Sequence, residues 1–189
     1  MARRPSQQAL YNLIQGSERK TIIVVGKAVC NMLACPEACM SSIGSGALQC
    51  LKVIATIDSE DLQEACVRVL INLSFVPSAH LHLMKEPLVQ TACLVLCKSQ
   101  SWAKDCAVMT LLNFSQVKIF RRSMVSMNVT AALVSNVLMG RIYTPEAKSH
   151  VLRCIHNLTF TFMSKELVII DHALLAVHAI FNKGNCSNE

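Results

Sequence analysis

The chain has 189 residues, 52% of them apolar, a mean hydropathy of +0.41 and a formal net charge of +6. Its most apolar stretch, residues 21–40, contains Lys27, Pro36 and Glu37, whereas a membrane span needs about 20 residues with almost no charge, so we predict no membrane insertion. The N-terminus lacks the apolar run of a signal peptide, and the modest charge does not indicate nucleic-acid binding.

Apolar residues recur at intervals of three and four along almost the whole chain, and strict alternation is hard to find, which predicts helices joined by tight turns. The run Thr21 to Val25 is β-branched and resembles a strand locally, but its place in the repeated pattern described below favours a helix. In chain order, the predicted helices cover 5–15, 37–45, 47–57, 59–75, 79–86, 88–99, 102–116, 120–127, 129–140, 145–162 and 172–182, with a further long helix ending before residue 35.

Four asparagines mark a repeated module, because they recur at intervals of 41, 41 and 44 and each lies in a similar apolar segment. They are Asn31, Asn72, Asn113 and Asn157. A second set recurs at the same interval of 41 and opens apolar runs, as turn, first-turn and cap residues do. This set is Pro5, Gly46, Pro87 and Asn128.

A period of about 40 to 47 residues is typical of helical solenoids, in which each repeat buries its apolar face against its neighbours. We therefore predict an all-α fold with one domain over residues 1–189, each full repeat having a short, a middle and a long helix. The predicted repeats are 5–35, 37–75, 78–116, 118–162 and a partial repeat at 164–182. The end repeats are incomplete, and the three extra residues of the last interval are predicted to lie in the connection 140–145.

The ten cysteines lie in helical apolar patterns, where other repeats have Ala, Val or Leu. Cys106 is equivalent to Ala65, and Cys154 to Val69. We expect small buried side chains in a reducing compartment, and hence a cytoplasmic protein, with the nucleus or a cilium or cytoskeleton as alternatives. Tight Cys-x-x-Cys pairs are absent from the sequence, so we predict no metal and no cofactor.

The best-preserved stretch is Gly46-Ala47-Leu48 followed by Glu64-Ala65 and Leu70-Ile71-Asn72-Leu73-Ser74. It resembles the armadillo repeat family, and later repeats keep Leu112-Asn113-Phe114-Ser115 and Ile155-His156-Asn157-Leu158-Thr159. The resemblance covers roughly residues 5 to 182. It implies a right-handed superhelical solenoid whose long helices line a concave groove.

In that family, groove asparagines hydrogen-bond the backbone of an extended peptide, since an amide both donates and accepts. The resemblance therefore makes the four asparagines a candidate binding ladder. A hydrogen bond to a neighbouring turn is the structural alternative. Four residues before each Asn, on the same helix face, the chain has Lys27, Arg68, Met109 and Arg153. Importin-alpha-type receptors carry Trp there, so a typical importin-alpha is not expected.

The candidate partner-binding residues are thus Asn31, Asn72, Asn113, Asn157, Lys27, Arg68 and Arg153. Their cations favour an extended, acidic peptide segment of another protein, and we predict no small-molecule substrate. No pattern of an enzyme active site is found in the sequence, so we predict a non-enzymatic interaction scaffold. Two alternatives are a structural or assembly subunit contacting folded cytoskeletal or ciliary partners, and a less favoured nucleic-acid binder. The latter would use Arg121, Arg122, Arg141, Lys148 and Arg153.

Overall fold

The structure is a computed structural model. It describes residues 12, 18–35, 37–38, 41, 47–84, 86–98, 102–140, 142 and 144–160, and near the C-terminus 174–175, 177–178 and 180. All secondary structure in these ranges is helical. The helices are α1 (Arg19–Leu33), α2 (Ala47–Ala55), α3 (Glu60–Ser74), α4 (His80–Leu83), α5 (Glu86–Lys98), α6 (Ala103–Gln116), α7 (Lys118–Ser126), α8 (Val129–Leu138) and α9 (Pro145–Thr159). A short 3₁₀ turn, Pro77–Ala79, precedes α4.

The helices lie where the apolar periodicity predicts them. The β-branched run Thr21 to Val25 is inside α1, because α1 packs against α2 and α3 and this tertiary contact outweighs the local strand preference. The predicted helices 5–15, 37–45 and 172–182 lie largely outside the described residues, and the few positions that are described in them are helical. The predicted all-α fold is therefore confirmed, whereas the single domain and the repeat boundaries stay predictions.

Contacts divide the chain into two compact units, residues 1–106 and 107–189. In the first unit, α3 is central and packs against α1, α2 and α5. Leu51, Ile54, Leu62 and Leu70 have no exposed surface there. Thr91 on α5 donates a hydrogen bond to the carbonyl of Ala55 at 3.2 Å, which satisfies the end of α2.

In the second unit, α7, α8 and α9 pack against one another. Phe114 and Phe120 are buried and meet edge to face, with ring centroids 6.1 Å apart. Helix α9 begins at Pro145, and the Thr144 side chain accepts a hydrogen bond from the Ala147 N–H at 3.1 Å. Proline at the first position and threonine as the cap explain why the helix starts there.

Among the described residues, no helix is both long enough and apolar enough to cross a membrane by itself. Helix α3 and the segment Pro77–Leu83 meet that requirement only together, across a bend of 120°.

Candidate functional site

In the first unit, the candidate cation Lys27 forms an ion pair that joins two long helices. Its Nζ lies 2.5 Å from Oδ2 of Asp61, so a side chain of α1 reaches the first turn of α3. Both side chains are substantially exposed, and solvent therefore screens the pair. Lys27 is accessible to a ligand, but an incoming carboxylate has to compete with Asp61.

Arg68 makes the equivalent contact one repeat later. Its guanidinium carbon lies 4.6 Å from the centre of the Trp102 ring, a cation–π geometry. Arg68 follows Lys27, and Trp102 follows Asp61, by the same interval that separates Asn31 from Asn72. In these two repeats, a cation of one long helix thus lies against the start of the next long helix, with a carboxylate as partner of Lys27 and an indole as partner of Arg68.

The cation–π contact leaves Arg68 better suited than Lys27 to hold a ligand. A guanidinium stacked on a ring keeps its N–H donors in its own plane, where they can pair with a carboxylate. Arg68 is exposed, and Trp102 is 48% exposed.

The asparagines of the first unit have different surroundings. Asn31 on α1 is exposed. Asn72 on α3 is half-buried, and its Nδ2 donates a hydrogen bond to the carbonyl of Ala34 at 2.7 Å. Ala34 is the residue that ends α1, so Asn72 satisfies a helix-terminal carbonyl of the preceding repeat. This is the structural alternative that the sequence left open.

The asparagines of the second unit are less accessible than Asn31. Asn113 is only 8% exposed. Asn157 is half-buried, and its Nδ2 donates to the Ser115 hydroxyl at 3.0 Å, which in turn donates to the Leu112 carbonyl at 2.6 Å. Asn157 therefore also forms a hydrogen bond with the end of the preceding long helix. The candidate Arg153, one turn earlier on α9, is exposed. Peptide binding by any of these residues stays a prediction.

A second set of contacts at the ends of long helices was not predicted from the sequence. The His80 Nε2 lies 2.8 Å from the carbonyl of Ser74 on α3, and Arg121 Nε donates to the carbonyl of Ser115 on α6 at 2.7 Å. Arg121 follows His80 by one repeat interval, so the repeat period could have revealed the pair. Arg121 is thereby engaged in the fold, and Arg141, another candidate for nucleic-acid contacts, lies outside the described residues.

Of the described cysteines, Cys30, Cys50, Cys66 and Cys154 are buried as expected. The Sγ atoms of Cys30 and Cys66 are 4.0 Å apart, and this contact, together with burial, raises the pKa of Cys66 well above its ordinary value. Burial and the neighbouring Cys97 raise the pKa of Cys93 to about 12.

Cys35 differs from the expectation, because it follows the end of α1 and is exposed. Its Sγ donates to Glu37 at 2.7 Å, and this hydrogen bond lowers the pKa of the Glu37 carboxyl. Within the described ranges, no group of three or more His, Cys, Asp or Glu side chains is arranged to hold a metal ion.

No family model matches the chain, and no curated protein matches it. Solved structures of repeat proteins do match. Two engineered proteins from the Northeast Structural Genomics Consortium superpose with TM-scores of 0.63 and 0.62, at 16% and 14% identity. The first alignment covers 92% of this chain and 70% of the other protein, and the second covers 96% and 86%.

A designed armadillo repeat protein, solved in complex with the peptide (KR)4, superposes with a TM-score of 0.61 at 15% identity. This alignment covers 90% of the chain and 80% of the designed protein. Identities this low show the fold alone. The fold is an armadillo-type helical repeat, and the resemblance found in the sequence is confirmed at that level.

Proposed function

We propose that the chain is a non-enzymatic scaffold that binds an extended peptide segment of another protein along the exposed side of its long helices. The armadillo-type fold supports protein binding in general, and one designed protein of this fold is in complex with a peptide. A cytoplasmic location is part of the proposal and is supported by the burial of cysteines such as Cys30 and Cys66 in the helical core.

The observation that carries the proposal is the pair of equivalent contacts, Lys27 with Asp61 and Arg68 with Trp102. A helix that serves only packing needs no exposed polar contact at the same place in successive repeats. Here these contacts place cations at one repeat interval along the exposed side of α1 and α3. Arg and Trp are also the residue types that most often dominate binding energy at protein interfaces.

The geometry supports an acidic peptide with Arg68 as its main charged anchor. The Trp102 ring holds the guanidinium in place, so less side-chain entropy is lost when a carboxylate binds. Lys27 contributes less to the affinity for the peptide, because its ion pair with Asp61 has to break before it can bind a carboxylate of the peptide.

Asn31 is the member of the ladder best placed to bond a peptide backbone, since its amide is exposed. Asn72 has already donated one hydrogen bond to Ala34, and it offers the carbonyl oxygen of its side chain as an acceptor. Asn113, Asn157 and Arg153 are the corresponding candidates in the second unit.

The test uses fluorescence polarisation with a labelled, extended peptide of about eight residues made of Glu and Ser. Asn31→Ala and Arg68→Ala should each raise the Kd about tenfold, the loss of one good polar contact. Their melting temperatures should match that of the wild type, because both side chains are exposed. Lys20→Ala, another exposed cation of α1, is the matched control and should bind normally.

The proposal that acidic peptides bind at Arg68 would be contradicted if the wild type showed no saturable binding. It would also be contradicted if the Arg68→Ala and Lys20→Ala variants bound the peptide with equal affinity.

A structural or assembly subunit is the second candidate function, and exposed apolar side chains favour it. Phe75 and Leu81 are 65% and 70% exposed and flank the turn between α3 and α4. Side chains of this size at an exposed turn are suited to contact a folded partner. On this alternative, Phe75→Ser with Leu81→Ser should abolish association with the folded partner, while Arg68→Ala leaves it unchanged.

A further inference from the structure

The net charge of the chain is concentrated in the second compact unit. Residues 107–160 contain six Lys and Arg side chains and a single carboxylate, Glu146. Glu146 is in the first turn of α9. At about 1.5 Å per residue, roughly 20 Å of helix separate it from Phe160 at the other end. Among the described residues of the second unit, no carboxylate therefore lies at the Phe160 end of α9.

Two hydrogen bonds bring this end of α9 together with the start of α7. Asn157 on α9 donates to the Ser115 hydroxyl at 3.0 Å, and Arg121 on α7 donates to the Ser115 carbonyl at 2.7 Å. Arg121 also donates to the Gln116 carbonyl at 3.2 Å. All four residues belong to the second unit, so the start of α7 and the end of α9 lie close together, and we take the exposed side chains around them as one surface.

That surface combines exposed cations with exposed apolar groups. Lys118 and Arg122 are exposed and lie one turn apart on α7. Ile119 is 66% exposed and Phe160 is 70% exposed. The Phe160 ring packs edge to face on the exposed His156 ring, with centroids 4.7 Å apart, which fixes its orientation. We name these five residues, Lys118, Ile119, Arg122, His156 and Phe160, the α7–α9 edge.

We propose that the α7–α9 edge docks a short acidic segment of a partner protein that carries a bulky apolar side chain. Carboxylates of the segment pair with Lys118 and Arg122, and its apolar side chain packs on Ile119 and Phe160. The argument is complementarity, because Glu146 is the only carboxylate among the described residues of the second unit and lies at the other end of α9, whereas Ile119 and Phe160 are exposed. None of its residues is among the seven candidate residues of the peptide scaffold.

Nucleic acid and membrane fit the same edge less well. Nucleic-acid affinity comes from many phosphate contacts, about six to ten in typical complexes, and the engagement of Arg121 leaves Lys118 and Arg122 as the exposed cations of the edge. Membrane attachment needs a continuous apolar face, and Ile119 and Phe160 provide only two side chains.

The test measures binding of the full chain to a labelled peptide of Glu and Ser with Leu and Phe at its centre. Lys118→Glu with Arg122→Glu, and separately Phe160→Ser, should each weaken binding about tenfold or more. The matched controls are Lys98→Glu and Met139→Ser, an exposed cation and an exposed apolar side chain outside the edge. They should bind as the wild type does, and circular dichroism verifies that every variant is folded.

The same titrations use a peptide of Glu and Ser only, a single-stranded oligonucleotide, and vesicles of phosphatidylcholine with phosphatidylserine. We expect the wild type to bind the peptide of Glu and Ser more weakly than the peptide with Leu and Phe. The edge variants should not change binding of the oligonucleotide or of the vesicles. The proposal is overturned if the wild type does not bind the peptide with Leu and Phe. It is also overturned if the control variants lose as much affinity for that peptide as the edge variants do. It is also overturned if the edge variants reduce oligonucleotide or vesicle binding instead. Loss of binding in Arg68→Ala together with unchanged binding in the edge variants would assign the peptide to the scaffold face and would equally overturn the edge.

Discussion

Gly26 shows how a single residue sets the distance between two long helices. It lies on α1, and a Cβ at this position would be 2.8 Å from Cδ2 of Leu62 on α3 and 3.5 Å from Ile54. The first distance is too short for a van der Waals contact, and Leu62 is fully buried, so its side chain has little room to move. At the observed separation of α1 and α3, any larger residue at position 26 would therefore have to displace the Leu62 side chain.

We expect Gly26→Ala to destabilise the chain despite the better helix propensity of alanine. Overpacking costs about 1–3 kcal/mol, against a gain of about 1 kcal/mol from propensity. In a Leu62→Ala background the clash is gone, so adding Gly26→Ala should stabilise the fold by about 1 kcal/mol. Urea unfolding of the four proteins measures this double-mutant cycle, and additive effects would show that the two residues are not in contact.

A second prediction at the residue scale concerns the Cys93 thiol. Its pKa is about 12 in the folded chain against 9.0 for a free thiol, because burial disfavours the thiolate. Between these values the native state holds a proton that the unfolded state has lost, so the free energy of unfolding falls as pH rises from 9.0 towards about 12. Below pH 9.0 the contribution is fully present.

Cys93→Ala should therefore lose less stability than the wild type over that pH interval, as measured by denaturant unfolding. Because both proteins contain all the other groups that titrate in this interval, the difference between their free energies of unfolding reports the Cys93 thiol alone. Cys35→Ala, which removes an exposed thiol, is the control and should follow the wild type. A parallel decline of all three proteins would show that Cys93 ionises as freely in the native state as in the unfolded one.

At the scale of helices, two of the recurrent asparagines, Asn72 and Asn157, each join a long helix to the one before it. Asn72 bonds the carbonyl of Ala34 at the end of α1, and Asn157 bonds Ser115 in the last turn of α6. Helix ends leave carbonyls without partners inside the helix, so such bonds stabilise the stacking of one repeat on the next. They also explain why this residue recurs whether or not a peptide is bound.

We predict that Asn72→Ala lowers the free energy of unfolding by about 0.5–1.5 kcal/mol, the usual contribution of one hydrogen bond. Asn31→Ala should change it by less than about 0.5 kcal/mol, because Asn31 is exposed. Chemical denaturation of both variants gives the comparison. Equal losses would mean that Asn31 has a structural role as large as that of Asn72.

The sequence predicted the helices because two signals agree, the three-to-four spacing of apolar residues and the constant interval between Asn31, Asn72 and Asn113. It did not predict the hydrogen-bond partners of the asparagines. The Ala34 carbonyl reaches Asn72 only through the packing of α1 on α3, and no residue type signals a backbone acceptor. The stacking of Arg68 on Trp102 was also missed, although Trp102 has the same place in its repeat as Asp61.

At the scale of the whole molecule, the repeated contacts of the long helices serve packing on one side and the proposed peptide binding on the other. Successive long helices are joined on the buried side by contacts such as Leu62 with Gly26, and on the exposed side by Lys27 with Asp61 and Arg68 with Trp102. Because each repeat contacts mainly its neighbours, substitutions on the exposed side should leave the stack intact. Binding can therefore be changed without loss of the fold.

The most direct test of the scaffold proposal is an NMR titration of the ¹⁵N-labelled chain with the Glu–Ser peptide. The side-chain amide of Asn31 and the backbone amides around Lys27 and Arg68 should shift in a saturable way, and the amide of Asn72 should shift less because it bonds Ala34. Shifts restricted to the short and middle helices, with the Asn31 amide unmoved at saturation, would contradict peptide binding along the long helices.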